Sequence, residues 1–295
     1  MFCDYEGSDY RTRFWEGANR AYEDAVERVA LSHLLPARGG RIAEFGAAFG
    51  RLADLYAGYQ QVLLIDYSRS LLREAQQRWG SDPRFKFIVA DIYHLPLRDG
   101  VLDAATMIRV IHHLADAPAA LRQVRRSLAA GATFVLEFAN KRHLKAIARY
   151  ALGRQAWCPF DPQPVEFAPL NFDFHPRWML AAARAAGFEV RARRAVSYLR
   201  LGLLKRWLPL KLLVGLDALL QPSGAIALLS PSAFVQLVVP PADGAPDGRG
   251  LTGEAIFCSP RSGAPLRREG DALVCDADGT RWRAEENFYD FKTPL

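Results

Sequence analysis

The stretch from Arg41 to Asp66 constrains this 295-residue chain more than any other. Arg41-Ile-Ala-Glu-Phe45 reads as a short buried strand that stops at Gly46-Ala-Ala-Phe-Gly50. A helical pattern follows over Arg51 to Tyr56, then a second strand, Gln61 to Ile65, that runs straight into Asp66. Strand, small-residue turn, helix, strand and acid are the parts of a nucleotide-binding βαβ unit. Small residues let the backbone come close to a ligand, and an acid at the second strand's tip can accept hydrogen bonds from two ribose hydroxyls.

The rest of the chain extends this alternation. A helix is expected from Trp15 to Leu35, with Tyr22, Val26, Val29 and Leu34 at helical spacing. Ser68 is placed to cap a helix running to Trp79, and Phe85 to Val89 reads as a third strand ending at Ala90-Asp91. Leu102 to Val110 is the fourth strand, Ala117 to Leu128 a helix stopped near Gly131, and Thr133 to Glu137 the fifth strand. Five strands separated by helices predict an α/β fold with a mostly parallel, doubly wound sheet. Beyond Asn140 the pattern breaks. Lys141 to Leu152 reads as a short basic helix, and Trp157 to Pro176 is crowded with proline and aromatic residues, as a lid of about residues 141–176 would be. A helix from Arg177 to Ala186, a strand from Phe188, an apolar helical stretch from Leu199 to Leu220 and a last strand from Ser232 to Val239 follow.

Composition narrows the class. Half of the residues are hydrophobic and 24% are charged, as in an ordinary globular protein. Four scattered cysteines fit a reducing compartment, and the acidic, aromatic start of the chain is unlike a secretory signal, so a cytoplasmic location is expected. The Leu199 to Leu229 region is broken by Lys205, Arg206, Pro209, Lys211, Asp217 and Pro222, which leaves no membrane span. A net charge of +6 allows weak attraction to nucleic acid or anionic lipid, with no compact Lys/Arg run to favour either.

Taken together, the ordered blocks from about residue 20 to 240 resemble the class I S-adenosylmethionine-dependent methyltransferases of the small-molecule branch. Glu44-Phe-Gly-Ala-Ala-Phe-Gly50 is similar to that family's glycine turn, with Ala48 where its middle glycine stands. Asp66, Ala90-Asp91-Ile92, the block around Ile111-His-His-Leu114, and Leu128 to Glu137 follow in the family's order. The resemblance implies a Rossmann-like seven-stranded sheet with helices on both faces and its last strand antiparallel beside the fifth. It implies S-adenosylmethionine as cofactor, with Glu44 near the donor's amino end and Gly46, Ala48 and Gly50 at the backbone approach. Asp66 would hold the ribose, Tyr67 would cover the adenine edge, and Asp91 and Ile92 would meet the adenine. Arg109 would reach the crevice or a carboxylate. His112 and His113, at the mouth of the fourth strand, could take a proton from the acceptor. NAD is the competing ligand for any such βαβ unit; Asp91 and the two histidines favour the methyl donor.

The acceptor is expected to be a small molecule of hydrophobic character, given the aromatic insertion and the apolar helical stretch. The alternatives are an RNA or protein methyltransferase that docks through its C-terminal tail, and a non-catalytic scaffold that only binds the donor. Residues 1–240 would form the methyltransferase domain and 241–253 a linker. Residues 254–295 would form a small module similar to a zinc ribbon, with Cys258 and Cys275 retained and Arg261 and Asp278 standing where the other cysteines would be. Two thiolates and one carboxylate are a poor tetrahedral zinc set, so a metal-free hairpin held by Phe257, Leu266, Val274, Trp282 and Phe288 is expected.

Overall fold

A computed structural model describes residue 6, residues 20–241, residue 244 and residues 246–295. Tyr10, Arg13 and the start of the helix expected from Trp15 lie outside the described residues. Seven strands make the expected sheet: β1 (Gly39–Phe45), β2 (Tyr59–Asp66), β3 (Phe85–Val89), β4 (Leu102–Met107), β5 (Leu128–Ala139), β8 (Glu189–Val196) and β9 (Ser232–Val238). Their order is β3-β2-β1-β4-β5-β9-β8, with the first five parallel and β9 antiparallel to both β5 and β8. Successive strand residues point to opposite faces, so Ala43 and Phe45 enter one core while Ile42 enters the other. Strand order reverses between β1 and β4, and a crevice is left at the carboxyl ends of those strands.

Helices cover both faces, each for a local reason. In α2 (Arg69–Trp79), Ser68 accepts from the Leu71 amide and Leu71, Leu72 and Ala75 are buried. In α3 (Ala117–Ser127), Asp116 accepts from Ala119 N at 2.9 Å and Pro118 sits in the first turn. The first helix, α1 (Ala21–Leu34), buries Tyr22, Val26, Ala30 and Leu34 but turns Val29 aside; Glu23 and Glu27 take the inward positions instead. The crossover from β1 is a 3₁₀ turn, Ala53–Tyr56, and not a helix from Arg51. The span from Gly50 to Tyr59 is too short for a longer helix, and Tyr56 is driven inward until its hydroxyl lies 2.9 Å from Thr106 Oγ1.

Other boundaries move for similar reasons. The fourth strand stops at Met107, three residues before Val110, where the chain turns at Arg109. Gly131 does not end α3. It lies inside β5 at φ +77°, donating to Val239 O, where the β4–β5 register shifts. The insertion holds α4 (Leu144–Ala151) and a hairpin of β6 (Val165–Ala168) and β7 (Asn171–Asp173), which returns to the end of β5 through Phe174 N to Ala139 O. α5 (Pro176–Ala185) precedes β8, and Pro209 splits the apolar stretch into α6 (Gly202–Trp207) and α7 (Leu210–Leu220). Among the described residues, no helix is long and apolar enough to cross a membrane.

The tail departs most from expectation. β10 (Arg267–Glu269), β11 (Ala272–Val274), β12 (Arg281–Ala284) and β13 (Phe288–Asp290) continue the central sheet, because β13 pairs in parallel with β3. An exposed β3 edge would leave a row of unpaired amides and carbonyls; the tail satisfies them. The expected linker is likewise fastened, with Gly248 N bonded to Gly100 O and Leu251 O accepting from the Arg41 guanidinium. Cys258 and Cys275 are buried free thiols. Asp278, between the tail's loops, accepts from the Ser259 hydroxyl at 2.6 Å, the Ser262 hydroxyl and Thr280 N. Of the five residues expected to hold the hairpin, Leu266 is half-buried and the rest are buried.

Phe257 packs tilted against Tyr289 and Phe291 at 4.6 and 5.4 Å between ring centroids, inside the same core as β1 and β4. Phe257→Ala should therefore destabilise the whole chain by about 3–5 kcal/mol, in one cooperative urea transition. Two separate transitions, with the loss confined to one, would show instead that the tail folds by itself.

Candidate active site

The turn after β1 is built for close approach. Gly46 (φ +76°) and Gly50 (φ +70°) adopt left-handed conformations, and a Cβ on Gly46 would fall 2.1 Å from Val110 Cγ2. Gly46 N and Ala47 N both donate to Ile65 O, at 2.8 and 3.1 Å. Asp66 then locks the turn to the next helix: Oδ2 accepts from Ala48 N at 2.7 Å and Oδ1 from Ser68 N at 2.9 Å. Ala48 is itself left-handed (φ +46°), at a cost of about 1–2 kcal/mol that glycine would not incur. The Asp66 bond holds it there.

A cleft opens beside this turn, enclosing about 740 Å³ with its mouth to solvent included. Gly46, Ala48, Asp66, Tyr67, Ile92, Arg109 and His113 share its wall with apolar neighbours such as Ile65, Leu71 and Leu114. Glu44, Gly46, Ala48, Arg51 and Arg109 line a smaller recess around the same turn. Asp91 is adjacent to the cleft wall, but its carboxylate accepts from Tyr93 N at 2.9 Å and lies 3.3 Å from His94 Nδ1. It caps its own turn, and Ile92 meets the cleft.

Behind the cleft is a set of buried charges. Glu27 of α1 is fully buried between Arg51 (2.8 Å) and Arg109 (2.7 Å). Burial raises its pKa, yet the two guanidiniums outweigh that and hold it below the ordinary carboxylate value. Arg109 stands at φ +62°, its amide donating to Glu137 Oε2 at 2.8 Å while Ser232 Oγ donates to Glu137 Oε1 at 2.6 Å. Burial pushes Glu137 up, opposed by Arg109. Glu44 differs from the others. Burial pushes it up to about 8 against the pull of Arg51, and its Oε2 has no hydrogen-bond partner among the described residues.

The two histidines separate. They occupy a 3₁₀ turn, Ile111–His113, with ring centroids 4.2 Å apart. His113 reaches the cleft, and its Nδ1 is 3.2 Å from Leu170 O of the β6–β7 hairpin. A carbonyl only accepts, so Nδ1 carries the proton and Nε2 the lone pair. Burial lowers its pKa, partly opposed by the Leu170 contact. His112 is half-buried and absent from the cleft wall, its enclosed Nδ1 unpartnered among the described residues; desolvation, His113 and Arg109 keep it neutral.

Sequence reasoning did not find Glu27, Arg51 or Glu137, nor the tail's reach to the site. Lys292 places Nζ 3.6 Å over the Tyr67 ring and 3.4 Å from Tyr67 O. Two glutamates four apart on the apolar face of α1 were the one local signal of a buried ion cluster.

Residues 43–136 match a family model described as a methyltransferase domain. A malonyl-[acyl-carrier protein] O-methyltransferase of Geobacter sulfurreducens is 33% identical over 156 residues, covering 48% of this chain and 58% of that protein. A ubiquinone/menaquinone biosynthesis C-methyltransferase of Caulobacter vibrioides is 29% identical over 137 residues, covering 42% and 52%. The chain thus spans about half the length of these curated relatives. The structure of an S-adenosylmethionine-dependent methyltransferase from Mesorhizobium loti shares the fold at TM-score 0.55 and 22% identity, over 74% of this chain and all of that one.

Ala48→Gly should raise stability by about 0.5–1 kcal/mol, since relief of the left-handed methyl exceeds the added flexibility of the unfolded chain. Glu44 keeps its proton in the folded chain up to about pH 8, whereas the unfolded chain releases it near the ordinary 4.5. Its contribution to stability therefore falls as pH rises through that window. Glu44→Gln should flatten the decline in a pH series of urea midpoints; an unchanged slope would show that Glu44 does not hold the proton.

Proposed function

We propose that this chain, which carries a class I S-adenosylmethionine-dependent methyltransferase domain, transfers the donor's methyl group to a small acceptor of hydrophobic character. Glu44 carries the reading. A buried carboxyl with an unpartnered oxygen is costly unless a cation or donor arrives to meet it, and the recess it lines adjoins the cleft. The amino group of S-adenosylmethionine is such a partner. Gly46 and Ala48 give the backbone approach, Asp66 stands at the strand tip to receive ribose hydroxyls, and Ile92, Leu71 and Tyr67 offer apolar cover for an adenine. The residues present fit the donor.

The cofactor supplies an activated methyl group on a sulfonium; the chain's own work is orientation, exclusion of water and management of one proton. Arg109 and Glu137 hold the turn after β4 in place, with Glu27 fixing the arginine from below. His113 presents Nε2 as base to an acceptor hydroxyl or acidic carbon, its ring fixed by Leu170 O. His112 backs that ring and takes no proton itself. The apolar cleft walls favour a greasy acceptor. The names of the relatives, one an O-methyltransferase and one a C-methyltransferase, support oxygen or carbon as the accepting atom. A docking role for the tail in RNA or protein methylation is less supported, because β13 is committed to β3 and Lys292 to Tyr67.

Titration calorimetry with S-adenosylmethionine and its demethylated product tests the cofactor site. Binding near neutral pH should release a proton from Glu44, seen as heats that differ between buffers of unequal ionisation enthalpy and absent in Glu44→Gln. Binding of neither compound would overturn the assignment. For the base, a screen of quinol and phenol acceptors supplies the assay. His113→Asn keeps a donor for Leu170 O without a base and should lower kcat by about a hundredfold while leaving cofactor affinity unchanged. Because burial holds the His113 pKa below its ordinary 6.5, kcat/KM for the acceptor at saturating S-adenosylmethionine should stay level above that pH and fall only on the acid side.

A further inference from the structure

Helix α7 leaves one face unused. Leu213 and Asp217 are buried, and one turn round from them Leu212, Leu216 and Leu219 stand 48%, 40% and 79% exposed. The spacing i, i+4, i+7 puts these three on a single stripe. The stripe does not end with the helix: Trp207 before it is 73% exposed, Ile226 after it 90%, and Leu144 at the start of α4 54%. The Leu144 amide bonds Leu229 O, three residues beyond Ile226, which sets the start of α4 beside the chain that leaves α7. An apolar surface of this extent, left in water, marks an interaction site.

Charge identifies the occupant. Arg206 and Lys211 flank the stripe, and Lys145 and Arg149 are exposed on α4. Between Leu199 and Leu229 the sole acid is Asp217, fully buried and bonded to Tyr22; between Lys141 and Cys158 there is none. A second copy of the chain is a poor fit, because a two-fold contact would set these cations against themselves with no carboxylate to relieve them. An exposed tryptophan and leucines among lysines and arginines suit a surface that is apolar inside and anionic at its border. We propose that α6, α7 and the start of α4 form a docking face for an anionic lipid bilayer, on which the protein lies without crossing it.

The placement is apt. Val196, the end of β8, pairs with Ser232, which pairs in turn with Ala139 at the end of β5. The helices that follow β5 and β8 thus leave the sheet at the carboxyl edge, where the cleft opens. A face in that position would bring the cleft to the bilayer surface.

Flotation of the full chain with phosphatidylcholine vesicles, with and without phosphatidylglycerol, tests the proposal. Binding should require phosphatidylglycerol and weaken as salt is raised. The triple variant Leu212→Ser, Leu216→Ser, Leu219→Ser should lower partitioning about tenfold or more. Arg206→Glu with Lys211→Glu should lower it roughly twentyfold. These positions are exposed, so thermal melts of both variants should match the parent. No binding to anionic vesicles at low salt, or binding that both variants leave unchanged, would overturn the proposal. So would a concentration-dependent dimer that the leucine variant disperses while vesicles bind nothing.

Discussion

Glu27 is the residue on which the site's architecture turns. A lone carboxylate with no exposure to water would be prohibitively costly, so its presence on the inner face of α1 demands compensation. Arg51 brings the segment after the glycine turn, and Arg109 brings the turn after β4. One buried charge therefore ties the first helix to both loops that flank the topological switch point. Arg109 in turn fixes Glu137 through its amide, which extends the network into β5 and, through Ser232, into β9. The recess that these groups enclose is where Glu44 keeps one carboxyl oxygen without a hydrogen-bond partner among the described residues. Burial raises the pKa of such an acid, and an incoming cation would lower it again, which is the basis of the role proposed for Glu44.

The C-terminal tail follows from a different constraint, the unpaired edge of β3. Covering that edge does more than prevent association through it. Arg69 pairs with Asp290, Arg73 with Glu285, and Gln76 with Asn287, so the tail also grips α2 along its length. α2 begins at Ser68, whose amide holds Asp66, and Tyr67 lies between Lys292 and the cleft. A segment more than two hundred residues away in sequence thereby steadies the part of the cleft wall that Tyr67 and Leu71 form.

How much was legible in advance depended on how local each interaction is. Asp66 bonds Ala48 N and Ser68 N, within eighteen residues, so turn, acid and cap could be read from spacing. The doubly wound, mostly parallel sheet was legible because buried strands and capped helices alternate; the antiparallel last strand beside the fifth came only from the family resemblance. His112 and His113 were inseparable on paper, since adjacent residues share every local property; the 3₁₀ turn sends one to the cleft wall and leaves the other off it. Asp91 could be read as meeting a ligand or as capping its own turn, and its carboxylate accepts from Tyr93 N beside the cleft wall. Glu27 and Glu23 carried a faint signal as acids on an apolar helix face, but their partners lie too far along the chain to be inferred.

The sequence alone determined the βαβ unit, the doubly wound sheet and the acid at the strand tip, because periodicity, small-residue turns and caps act over a few residues. Only the tertiary structure decided that the tail joins the sheet, that Glu27 unites Arg51 with Arg109, and which histidine meets the cleft. Those outcomes rest on unpaired strand edges and desolvated charges, whose cost is settled by whatever partner the folded chain can bring within about 3 Å.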